Sequence, residues 1–214
     1  DSVFPNYSMP WIYGLITVLL IALSVCVLIS MFRIRNRLLQ VLLAGSIVVF
    51  PSLIGLFGYM FTSSSFALAF FLAVMAAAMV QRFTKWPIFL GLGCLVFSLS
   101  IYQSYISVTA GLLVLVLIQQ LLRGEEFKAV LVRGIVFVLF LILALGLYYL
   151  GTQVVLGLTG NSLNGYASEN LAFSLNSVLN GVVLAYSSFF RFFAEGFLGL
   201  IPTAFSRILH WLLF

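Results

Sequence analysis

A chain of 214 residues that is 64% hydrophobic and 7% charged, with a mean hydropathy of +1.24, excludes a soluble globular domain and describes a polytopic membrane protein. Its net charge of +5 would point to nucleic acid in a soluble protein. Here the basic residues cluster at the ends of apolar runs, so they report topology, and no nucleic-acid partner is expected.

The polar start, Asp1 to Pro10, leads into Trp11 and Tyr13, an aromatic belt for a first span that runs to Phe32. Arg33, Arg35 and Arg37 close it. By the positive-inside rule they lie in the cytoplasm and Asp1 lies on the outer face. Leu38 to Gln81 is a charge-free stretch of forty-four residues, enough for a hairpin with Tyr59 to Ser65 as its outward turn. Pro51, Gly55 and Gly58 should kink or thin the ascending arm. On the descending arm Ala69, Ala73 and Ala77 recur every four residues, a small-residue ridge that lets another helix approach closely.

Arg82 and Lys85 return the chain to the inner side, and Pro87 falls in the first turn of the next span, where a missing N–H costs least. Trp86 to Leu122 then holds thirty-seven uncharged residues, slightly too few for two generous spans. This predicts a tight helical hairpin whose turn, Tyr102-Gln103-Ser104-Tyr105, sits level with the membrane interface or slightly below it. Arg123, Glu125, Glu126, Lys128 and Arg133 read as a solvated inner connector, and Gly134 to Gly157 as the sixth span.

Residues 158–176 form the expected outer polar loop. Residues 177–198 carry Asn180, Ser187, Arg191 and Glu195 in a stripe opposite Phe189, Phe190, Phe193 and Phe197, the pattern of an amphipathic helix lying in the outer interface. An inserted helix whose Arg191 and Glu195 face a polar cavity fits the same stripe. After Pro202, Ile208 to Phe214 begins a further span. The expected architecture is therefore one all-α transmembrane domain with six spans, an interfacial helix and a truncated seventh span, read as a fragment cut at both ends.

No phosphate-binding loop, dinucleotide fingerprint, zinc-protease motif or nucleophile elbow occurs, and no cofactor is expected. Cys26 and Cys94 lie in apolar runs, and His210 has no Cys, Asp or second His nearby, so no metal site is expected either. The span interiors contain no Asp, Glu, Lys or Arg, which argues against an ion-coupled transporter. Residues able to do chemistry gather on the outer side: Asp1, Tyr59, Tyr102, Gln103, Tyr105, Glu169, Arg191 and Glu195. Such a recessed outer-face site suits an enzyme with a lipid-phosphate donor and an aqueous acceptor.

The run from Phe50 to Val80, FPSLIGLFGYMFTSSSFALAFFLAVMAAAMV, followed by SLSIYQSYISV, resembles the GtrII-like bacterial glucosyltransferases, multispanning enzymes of the GT-C type. The resemblance implies transfer of a sugar, typically glucose, from a polyprenyl-phosphate carrier to surface polysaccharide such as O-antigen, at the outer face of the bacterial inner membrane. It also implies a catalytic carboxylate in the first outer loop, upstream of this chain unless Asp1 belongs to it. Glu169 is a second candidate base or an acceptor-sugar contact, and otherwise a solvated loop charge. Arg191 offers a planar fork of donors for the leaving phosphate, or simply pairs with Glu195 one helical turn on. Tyr102, Gln103 and Tyr105, with Tyr59, are candidates to stack on and hydrogen-bond the sugar, or are belt aromatics around a capped turn. A polysaccharide or lipid flippase is the alternative and calls for a central hydrophilic cavity open to either side. A noncatalytic scaffold would have no cavity beside Tyr102.

Overall fold

In the computed structural model, residues 10–159 and 175–195 are described, and they are helical with no strand among them. The chain divides into two compact units, residues 1–155 and 156–214. The first contains α1 (Pro10–Phe32), α2 (Arg37–Val49), α3 (Pro51–Gly58), α4 (Met60–Val80), α5 (Lys85–Ile101), a 3-10 turn (Gln103–Tyr105), α6 (Ile106–Leu122) and most of α7 (Phe127–Thr159). Four of these segments are long and apolar enough to cross a membrane: Trp11–Phe32, Phe61–Val80, Gln103–Leu122 and Phe127–Thr159. α2 and α5 are apolar but shorter, 13 and 17 residues, or roughly 20 and 25 Å at the usual helical rise.

The expected ascending arm of the first hairpin is two helices. Phe50 is extended (φ −62°, ψ 127°), as the residue before a proline prefers, and Pro51 restarts the helix at its first position. Two other expectations need correction. Tyr59 to Ser65 is not an extended turn: only Tyr59 leaves helical geometry, and α4 begins at Met60. The helix gains there because Ser63 is fully buried and meets Thr17 of α1, whose Oγ1 donates to Ser63 Oγ over 3.0 Å. Likewise α7 begins at Phe127 and not at Gly134, so Lys128 and Arg133 are helical; Arg133 pairs with Glu125 and sits 5.6 Å above the Phe83 ring.

α4 is the axis of this unit. Its alanines 67, 69, 73, 76 and 77 have no exposed surface, and α1, α5 and α6 pack around it. The small-residue ridge thus does what its spacing predicts. A β-carbon on Gly91 of α5 would stand 3.2 Å from Ala76 O and from Met79 Cβ, a measure of how closely the two helices approach. The ridge is also fastened by hydroxyls: Ser98 Oγ donates to Ala69 O at 2.7 Å, and Thr109 Oγ1 to Ala73 O at 3.0 Å. In an apolar solvent such packing and interhelical hydrogen bonding replace the hydrophobic drive between helices.

α1, α4 and α6 end alike. Arg33 (φ 55°), Phe83 (φ 52°) and Gly124 (φ 79°) adopt the left-handed conformation just past each helix, and their N–H groups bond back to the carbonyls of Ser30, Val80 and Leu121. The next chain segment starts from Asn36, whose Oδ1 accepts from Leu38 N at 2.8 Å. These three ends bring Arg33, Arg82 and Arg123 together, while Tyr59, Tyr102 and Tyr105 occupy the opposite end.

In the second unit, α8 (Leu175–Glu195) forms where the amphipathic pattern predicts a helix. Val183, Leu184, Tyr186, Phe189 and Phe190 are exposed along it, and the Phe189 and Phe190 rings meet edge to face at 5.8 Å. The expected loop core, residues 160–174, and the segment after Glu195 lie outside the described residues.

Candidate functional site

α5 stops at Ile101 because Tyr102 turns extended (φ −153°, ψ 110°), with its N–H still bonded to Ser98 O at 2.9 Å. Three residues of 3-10 helix then carry the chain into α6, and Ser107 Oγ closes the turn on Ser104 O at 2.6 Å. This reversal aims two phenols back at α4. The Tyr102 ring meets Phe66 edge-on at 5.2 Å and Tyr105 at 5.3 Å, and Tyr105 in turn meets Phe70 at 6.0 Å. Phe66 and Phe70 are one helical turn apart on α4, so the four rings form a continuous aromatic bracket.

Beside this bracket lies a cavity of about 730 Å³. Its other wall exists because of the break at Pro51: Ser46, Ile47 and Phe50 from the end of α2, and Gly55, Leu56 and Tyr59 from α3 and its exit. Tyr59 is 66% and Tyr102 46% exposed, so the phenols stand at an accessible rim, whereas Tyr105 is partly buried. Among the described residues no charged one lines the cavity. Its polar equipment is the hydroxyl set of Tyr59, Tyr102, Tyr105, Ser104, Ser107 and Ser46, of which Ser46 Oγ is committed to Leu42 O at 2.8 Å and Ser107 Oγ to Ser104 O at 2.6 Å. Neutral donor-acceptor hydroxyls among aromatic faces can bind a polyhydroxylated ring, by hydrogen bonds at its edge and apolar contact on its C–H face.

Of the sequence-predicted site residues, Tyr59, Tyr102 and Tyr105 converge on this cavity. Gln103 does not line it; its Nε2 donates to Tyr148 Oη at 2.7 Å and ties the turn to α7. Asp1 and Glu169 lie outside the described residues, as do the side chains of Arg191 and Glu195, whose backbone is the last part of α8. Phe66, Phe70 and Tyr148 escaped the sequence reading. The one-turn spacing of the two phenylalanines was visible, but nothing local links them to Tyr102, and Tyr148 is forty-five residues from its partner. Among the described residues no group of His, Cys, Asp and Glu could hold a metal.

The model of the glucosyl transferase GtrII family matches residues 1–213. The chain belongs to that family. Comparison with curated proteins and with solved structures gives no match. Membership makes this a glucosyltransferase-family protein, and among its described residues four helices are long and apolar enough to cross a membrane.

Proposed function

We propose that this GtrII-family chain serves a membrane glucosyltransferase that moves glucose from a polyprenyl-phosphate carrier to a surface polysaccharide such as O-antigen, at the outer face of the bacterial inner membrane. The observation that carries this reading is the uncharged aromatic cavity beside Tyr102 and Tyr105, at the end of the bundle remote from Arg33, Arg82 and Arg123. With the arginine end inside, as the positive-inside rule requires, the cavity faces outward, in a six-span arrangement whose second span is the broken pair α2 and α3. In this role the phenols of Tyr59, Tyr102 and Tyr105 hold the sugar, and Gln103 and Tyr148 keep the turn that presents them in place.

Transfer breaks the bond between the anomeric carbon and the phosphate oxygen, forms one from that carbon to the acceptor hydroxyl, and delivers the hydroxyl's proton to a carboxylate base. Among the described residues the cavity wall carries no charge, so the base and the cation that steadies the departing phosphate are not among its described lining residues. Asp1 and Glu169 are the proposed carboxylates, and Arg191, assisted by Glu195, the proposed phosphate holder.

A cavity beside Tyr102 disfavours a noncatalytic scaffold. The flippase alternative has less support, since the cavities at the two ends share no lining residue and buried Thr109 and Leu113 stand between their walls on α6. The test is transfer by the full-length protein in membranes supplied with radiolabelled polyprenyl-phosphate-glucose and native polysaccharide. Gln103→Ala, Glu169→Ala and Arg191→Ala variants are run beside it. Transfer that collapses in a variant that still inserts and folds supports the reading. Movement of labelled lipid between leaflets without transfer from any polyprenyl-phosphate sugar refutes it.

A further inference from the structure

The arginine end contains a second cavity, of about 850 Å³, enclosed by α1, α4 and α6. Its walls change character along their length. For about 15 Å of α1 from Leu23 toward Arg33, faced by Met75 and Met79 of α4 and by Val116 of α6, the lining is mainly apolar. At the mouth stand Arg33, Arg82 and Arg123, each delivered by the capped end of a different helix.

One feature sets this mouth apart from an ordinary basic membrane edge. The one acidic residue in the lining, Glu125, is taken by Arg133, the only ion pair among the described residues, so it does not neutralise the three cavity arginines. Gln119 of the same wall is also occupied, its Nε2 donating to Phe32 O at 3.3 Å. The site therefore has positive charge for an anion and an apolar trough for a chain.

We propose that this cavity binds a membrane phospholipid through its phosphate, with Arg33, Arg82 and Arg123 around the anion and the acyl chain along the wall from Leu23 to Met75. Guanidinium forks suit phosphate oxygens, and basic pockets between membrane helices hold anionic headgroups elsewhere. A free phosphate shares the anion chemistry but would leave the apolar trough unused. The site lies at the opposite end from the sugar cavity and does not depend on the proposed transfer.

The experiment is native mass spectrometry of the full-length protein in neutral detergent with phosphatidylglycerol, with phosphatidylcholine, and with inorganic phosphate as competitor. Retention of phosphatidylglycerol over phosphatidylcholine is expected, and it should fall at least about tenfold when Arg33, Arg82 and Arg123 all become Gln, since each basic group near a headgroup contributes about 1 kcal/mol. The matched triple Arg35→Gln, Arg37→Gln, Lys85→Gln removes the same charge near the same end but touches no cavity wall, and should stay within about twofold of the parent. Met75→Trp, which fills the trough without altering charge, should also reduce retention. Arg82→Gln alone repeats the test if the triple variant does not fold. Equal loss in both charge triples would reduce the effect to general attraction by a basic surface and overturn the site. So would unchanged retention in the cavity variants, or inorganic phosphate displacing the lipid while Met75→Trp binds normally.

Discussion

Gly91 and Gly93 lie two residues apart on α5, and replacing each by alanine should have opposite effects. In a helix alanine is favoured over glycine by about 1 kcal/mol, because glycine loses more backbone freedom on ordering. At Gly93 a new β-carbon meets nothing within 4 Å, so Gly93→Ala should be neutral or stabilise by up to about 1 kcal/mol. At Gly91 the same carbon stands 3.2 Å from the carbonyl oxygen of Ala76 and from Met79 Cβ. One of those neighbours is backbone in the most closely packed helix of the unit, and it can yield only if α5 moves. Overpacking of this kind costs about 1–3 kcal/mol, which offsets or exceeds the propensity gain. The two variants should therefore differ by about 1–3 kcal/mol, with Gly91→Ala the weaker. Displacing α5 also lengthens the 2.7 Å bond from Ser98 to Ala69 and shifts Tyr102 against Phe66, so glucosyl transfer should fall in Gly91→Ala and persist in Gly93→Ala. The measurement is reversible denaturation of full-length protein in detergent, paired with the membrane transfer assay. Equal stability of the two variants, or a more stable Gly91→Ala, would refute the close α4–α5 contact as the organiser of this end of the bundle.

Removing the cavity's aromatic and phenolic groups should separate binding from folding. Tyr105→Phe deletes one hydroxyl and should raise the apparent KM for the sugar donor several-fold with stability little changed, while Tyr102→Ala, which loses ring contacts to Phe66 and Tyr105 worth about 0.5–1.5 kcal/mol each, should lower both activity and stability. Tyr148→Phe deprives exposed Gln103 of its acceptor; water can replace it, so a stability loss below about 1 kcal/mol is expected with a larger fall in transfer rate, read from kcat and KM beside thermal unfolding. Thr109→Val keeps the side-chain shape but removes the bond to Ala73 O, and should cost about 0.6–1.7 kcal/mol by denaturation in detergent, with Ser98→Ala behaving alike.

Much of the fold was legible locally. Apolar runs longer than any soluble helix needs, basic residues at their ends, the break at Pro51 and the alanine ridge at 69, 73 and 77 all report on the chain's own solvent and backbone, and each appears where the periodicity places it. The turn at Tyr102 was equally readable, because the stretch between Lys85 and Arg123 is too long for one helix and too short for two with a wide loop. Boundaries were less so. α4 takes in Met60 to Ser65, and α7 takes in Lys128 and Arg133, because burial of Ser63 against Thr17 and the pairing of Arg133 with Glu125 outweigh the polar character of those residues.

The site divides along the same line. Composition and spacing alone placed an aromatic, hydroxyl-rich turn at one end and arginines at the other. Only the packing decided that Tyr102 and Tyr105 would be bracketed by Phe66 and Phe70, that the broken arm would supply the facing wall, and that Gln103 would be spent on Tyr148. The physical reason is range. Solvent preference and helical period act within one segment and leave a repeating mark along the chain, whereas a cavity exists between segments, in the volume their side chains fail to fill, and that volume has no period to read.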